Sequence, residues 1–188
     1  MDAGILGLGA IFDITPAWAP VDLDTADGAT GIRMHMGHCG AVLFVAFLGA
    51  AASGSDNVVF DVQQHTAYTS GTTADLDSTG AADAVGITEY YVKSETLLDG
   101  DEPWVRVAQA AASEVTLTGT TYAARQKIVA FGVGADQLGE GYTHLSVNVA
   151  VTTSAVQLGA GLYLPLHLRD RRKPVNLLNW LNPGAANA

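Results

Sequence analysis

Two stretches set the hydrophobic pattern of this chain. Ala41–Leu48 is an unbroken apolar run with Phe44, Val45 and Phe47 at its centre. A small polar segment ending in Ser53-Gly54-Ser55-Asp56-Asn57 follows as a turn signal. Val58–Gln64 then alternates, with Val58, Phe60 and Val62 on one side and Val59, Asp61 and Gln63 on the other. That is the period of a half-buried strand. His144–Ala150 repeats it, with Leu145, Val147 and Val149 expected inward and His144, Ser146 and Asn148 outward. Ser113–Thr118 places Val115 and Leu117 on one face, and Glu89–Ser94, Trp104–Ala108, Gln126–Val133 and Ala155–His167 complete the strand candidates, with Ile32–His38 a short lead-in. Turn residues separate these runs, and no strong amphipathic helix interrupts them. The pattern predicts an all-β chain, a β-sandwich of the jelly-roll type with about eight strands. Phe44, Phe60, Val129, Phe131, Val147 and Val149 are its expected core, and His65–Gly86 reads as a long polar surface loop.

The ends differ from the middle. Residues 1–20 carry Gly4, Gly7 and Gly9, with Pro16 and Pro20 bracketing Trp18, which disfavours a helix and predicts an extended arm. Ile11, Phe12 and Trp18 would be its anchors on another surface. Residues 169–188 form a second arm: Arg169, Arg171, Arg172 and Lys173 are four of the nine basic residues, and the VNLLNWLN stretch around Trp180 could make one or two helical turns. Between them, residues 21–168 form one domain.

Composition sharpens this. With 188 residues, 48% hydrophobic and only 15% charged, the chain is apolar for a protein that stands alone. Ala41–Leu48 and Leu158–Leu166 are apolar at nearly every position, more than the single inner face of a sandwich can cover. Self-association near one of these strands is therefore expected. A net charge of −10 argues against nucleic-acid binding. The central apolar run is far short of the ~20 residues a membrane-spanning helix needs. The first residues lack a basic segment and carry Asp2, so no targeting or transmembrane segment is expected.

Candidate chemistry is sparse. His35, His38 and Cys39 have donor atoms suited to zinc, but His65, His144 and His167 stand alone in sequence, so no metal site is expected. Asp22, Asp24 and Asp27 miss calcium-loop spacing, with Arg33 at the position where that loop carries Glu. Asp99, Asp101 and Glu102 fit a solvated turn, and no serine lies in a G-x-S-x-G setting. The sequence predicts neither an enzyme nor a cofactor.

The order of features carries a resemblance. The hairpin GAVLFVAFLGAAASGSDNVVFDVQQ is followed by EYYVKSE, then KIVAFGVGADQLGEGYTHLSVNVA, and last AVQLGAGLYLPLHLRDRR. This series resembles the decoration (cement, minor capsid) proteins that tailed bacteriophages encode beside their major capsid protein. The resemblance covers about residues 31–172. It implies a structural virion protein on the capsid surface, assembled in the host cytoplasm. Its implied partners are the major capsid protein and further copies of itself, as a trimer. The capsid or oligomer contacts would then be Ile11, Phe12, Trp18, Arg169, Arg171, Arg172, Lys173 and Trp180. A tail or neck component, and a secreted carbohydrate-binding sandwich, are the alternatives.

Overall fold

A computed structural model describes residues 12–24, 28–52, 57–76, 85–151 and 156–169. Eleven strands run through them: β1 Thr15–Asp22, β2 Met34–His35, β3 Ala41–Leu48, β4 Val58–His65, β5 Thr73–Asp75, β6 Ile87–Glu95, β7 Val105–Ala112, β8 Glu114–Leu117, β9 Gln126–Gly134, β10 His144–Val151 and β11 Leu158–Leu166. One helical turn, α1 Gly119–Tyr122, and two 3-10 turns, Met36–His38 and Ala135–Gln137, join them. The all-β expectation holds, as a sandwich of two antiparallel sheets.

The larger sheet has the order β1-β11-β3-β9-β6-β7, and the smaller β2-β10-β4-β5 with β8 also on β4. The chain crosses between sheets at nearly every connection, so most contacts are remote in sequence. The two alternating segments found from the sequence pair directly, Val147 opposite Val62 and Val149 opposite Phe60. The long apolar segments also pair, Leu162 opposite Val45 and Tyr163 opposite Phe44.

The core fills the space between the sheets. Phe44 is wholly buried, and its ring lies 4.9 Å from Phe131, 5.5 Å from Phe60, 6.1 Å from Tyr163 and 6.4 Å from Trp18, centroid to centroid. The expected core residues Phe60, Val129, Phe131, Val147 and Val149 join Phe44 in one buried cluster. Tyr163 ties the layers: its hydroxyl oxygen accepts the Val147 amide at 2.8 Å, and burial pushes its pKa upward.

Four expectations need correction. First, the strand count is eleven among the described residues, because short pairings escape a periodicity criterion. Second, the N-terminal arm stops short of residue 20: Thr15–Asp22 is an edge strand on β11, and Trp18 is buried inside the chain's own core. The register shifts on both sides of Trp18. An edge strand with such irregularities accommodates Pro16 and Pro20, which a central strand would not. Third, the polar stretch after His65 is no open loop throughout. Thr73–Asp75 pairs with β4, Leu76 is fully buried, and Arg33 holds the intervening turn by donating to the carbonyls of Ala67 and Ser70. Fourth, His144 and Ser146 are buried rather than solvent-facing, since that same turn lays Tyr68 beside His144.

Candidate docking surface

The larger sheet offers its inner face to the core, and among the described residues no strand packs on its other face. Alternation along β3 sends Val42, Phe44, Ala46 and Leu48 inward and Ala41, Leu43, Val45 and Phe47 outward. On β11 the outward set is Leu158, Ala160, Leu162, Leu164 and Leu166. Register aligns these side chains into rows across the sheet. One row runs Leu162, Val45, Ala130, Tyr91, and its neighbour Ala160, Phe47, Ile128, Lys93. Leu158 is 64% exposed, Phe47 52% and Leu162 41%. The outward positions of β11 and β3 carry no charge. On one side charges begin at β6 and β7, where Arg106 pairs with Glu89 and Lys93 sits 5.4 Å over the Trp104 ring, and on the other Asp22 of β1 stands opposite Leu158. Exposed apolar side chains grouped in this way are the feature by which a candidate contact surface is recognised.

The residues expected to dock fall out differently. Trp18 is removed from the set, because its ring packs over Gly161 in the chain's own core; a Cβ there would lie 2.6 Å from Trp18 Cε2. Phe12 is half-buried and bridges to Leu166. Arg169 is exposed, its amide donating to the His38 carbonyl at 3.0 Å. Both therefore lie near the Leu166 end of β11, beside the apolar face. Ile11, Arg171, Arg172, Lys173 and Trp180 lie outside the described residues. The sequence signal for the face itself was the both-sided apolarity of β3 and β11.

Other polar features resolve as structure. A shallow cleft of about 230 Å³ is lined by Thr88, Glu89, Tyr91, Gly132 and Gln137 among others. Its carboxylate is engaged: hydrogen bonds from Arg106 and from the Tyr91 hydroxyl hold Glu89 below the usual carboxylate range. In the Asp99–Glu102 turn, burial pushes the Glu102 carboxyl up, but amides of Asp99 and Gly100 donate to it and leave it low. Asp99, Asp101 and Glu102 bring carboxylate oxygens within 4.8 Å of one another, and two of the three are exposed, as acidic groups in a turn commonly are. Lys127 is fully enclosed, its ammonium donating to the carbonyls of Tyr122, Arg125 and Gly49, and burial brings its pKa down to about 8. His65 is buried with both ring nitrogens engaged, one by Thr73 Oγ1 at 2.9 Å and one by Ser146 Oγ at 2.8 Å. Among the described residues three ring nitrogens are buried without a hydrogen-bond partner, Nε1 of Trp18, Nδ1 of His35 and Nε2 of His144.

No family model matches the chain, and no curated protein matches it. Among solved structures, a likeness is found to a chain in "Structure of infectious bursal disease virus Gt strain", with 11% identity and a TM-score of 0.20. The match covers 95% of this chain and 43% of that one, so the chain spans less than half that protein's length. At that TM-score the likeness carries no argument.

Proposed function

We propose that this chain is a structural virion protein, a decoration (cement) protein that binds the outside of a tailed-phage head and stabilises the major capsid lattice. The observation that carries the reading is the uncharged outer face of the larger sheet, built from β3 and β11. Fully burying a Leu or Phe side chain contributes about 1.5–3 kcal/mol. Phe47, Leu158 and Leu162 alone leave several such contributions unused in the single chain. Association and ordering costs reduce what remains per copy, but a lattice engages many copies together.

Strand order gives further support. Within the two sheets, β1-β11-β3-β9 and β2-β10-β4-β5 form two four-stranded layers whose strands alternate along the chain except at the β4–β5 pair. We read this as a jelly roll with the β6–β7 hairpin added at one edge; jelly rolls serve viral capsid and lectin domains. The sequence resemblance supplies the phage context, the capsid surface as location and a trimer as the associated form. In this reading the chain acts mechanically, bridging neighbouring shell subunits, without catalysis. Quantitative mass spectrometry of purified virions separates the alternatives. Hundreds of copies support decoration, about a dozen indicate a neck or tail part, and absence from the particle rejects a virion role.

A further inference from the structure

The two edges of the larger sheet are built differently. β1, at one edge, carries Pro16 and Pro20 and shifts register on both sides of Trp18, which blunts a strand against further pairing. β7, at the other edge, has only β6 as a neighbouring strand among the described residues. Its sequence, VRVAQAAA, holds no proline or glycine and a single charge. Over Val105–Ala108 it pairs regularly with β6, and the shift in its register lies beyond Ala108. Such a strand turns half of its amides and carbonyls toward the open side, a template for another strand.

The edge is also accessible. Val105 stands opposite the buried Val92, on the inner side of the sheet, yet is 53% exposed. The smaller sheet therefore stops short of β7, which overhangs the sandwich. A strand from another molecule can come alongside before the bodies of the two molecules meet.

What this edge presents is self-complementary. On the outer side, the exposed Trp104 lies under Lys93, and the exposed Arg106 donates to Glu89 at 2.7 Å. Ala108, also exposed, stands directly opposite Glu89. Beyond Ala108 come only Gln109 and three alanines, so large side chains occupy one half of the edge and small ones the other. A two-fold axis perpendicular to the sheet at Val107 brings large against small. Arg106 then faces the second copy's Ala108, and Val105 faces the second copy's Gln109, so no like charges stand opposite. Arg106 and the second copy's Glu89 are two strand spacings apart, about 9.6 Å, with only the Ala108 methyl between them. Two extended side chains span that distance, so each arginine has a carboxylate on the other copy. The pairing also keeps both uncharged outer faces on one side, because opposite residues of an antiparallel pair point to the same face.

We propose that β7 is a self-association site, on which β7 of a second copy of this chain pairs antiparallel about Val107 and joins the two larger sheets into one. The charge complementarity of Arg106 and Glu89 and the large-to-small fit select a second copy over an unrelated strand. One strand pair with its flanking side chains is a small interface, so the dimer is weak and reversible in dilute solution. This inference uses the sheet edge and does not depend on the virion reading of the outer face.

The test is sedimentation equilibrium of the full chain, from micromolar to several hundred micromolar. A reversible monomer–dimer equilibrium is expected. Ala108→Arg sets a cation opposite the second copy's Arg106 at an exposed position; it should weaken the dimer at least tenfold with the circular dichroism unchanged. Val107→Cys should give a covalent dimer under mild oxidation, and Val105→Cys should not; the unaltered protein, whose Cys39 is buried, is the blank. In the unaltered protein, β7 amides should exchange hydrogen more slowly as concentration rises, while β1 amides do not change, a readout that holds even where a variant fails to fold. A monomer throughout the range overturns the proposal, as do β7 amides indifferent to concentration. So does association that survives in folded Ala108→Arg, or that is lost instead in Phe47→Asp with Leu162→Asp, which would place the contact on the outer face.

Discussion

Replacing Phe44 by Ala tests the sandwich at its centre. The ring is wholly enclosed, and rings on β4, β9, β11 and β1 surround it at 4.9–6.4 Å. Burial of a Phe that cannot be refilled costs about 3–5 kcal/mol on truncation. The upper part of that range applies, because the surrounding rings stand on strands held by their own ladders and cannot collapse into the void. For a chain of this length each kcal/mol lowers the midpoint by about 2–4 °C, so a fall of roughly 10–15 °C follows. Phe47→Ala is the internal control: three residues along the same strand, it points to the opposite face and is 52% exposed. Its cost should stay under about 1 kcal/mol. Guanidinium unfolding monitored by circular dichroism measures both. Equal losses for the two variants, or a loss below about 1 kcal/mol for Phe44→Ala, would mean that the faces of β3 are assigned wrongly.

Acid should weaken the fold through His65, which burial, aided by Arg33, holds at about 4. In the unfolded chain the ring titrates near 6.5. As pH falls from about 6.5 to 4 the unfolded state takes up a proton that the folded state refuses, so stability drops through that window and is unchanged above it. His65→Asn should flatten the denaturation profile there by up to about 3 kcal/mol; an unaltered profile refutes the assignment. Gly161→Ala should destabilise by about 1–3 kcal/mol, because the new methyl meets the Trp18 ring, and a neutral result in thermal melts would contradict the β1–β11 packing. Removal of residues 1–14 should leave a cooperative fold, while removal of residues 1–22 should not, since β1 goes with it; proteolysis and melting curves distinguish the two.

The sequence displayed its long strands because they alternate or run apolar for eight or nine residues, as β3, β4, β9, β10 and β11 do. It hid β1 because Pro16, Pro20 and nearby small residues resemble an arm, and only the edge position with shifted register admits them. β5 is three residues long, below any usable period, and its place is set from outside by Arg33 and the burial of Leu76. The polar face of β10 looked solvated because the turn that covers it comes from another part of the chain. The contact between the His35 and His144 rings was invisible for the same reason: β2 and β10 are adjacent only after folding. The apolar outer face was partly legible, since apolarity on both sides of β3 and β11 already exceeded what one core could hold.

The central claim is that this face holds the protein on a phage head. The direct measurement is binding of the purified full-length chain to expanded capsids that lack it, by co-sedimentation and electron microscopy. The unaltered protein should bind saturably at a fixed ratio to the shell subunit. Phe47→Asp with Leu162→Asp, folded by circular dichroism, should bind at least tenfold more weakly. Equal binding by the two proteins, or none by either, would contradict the account.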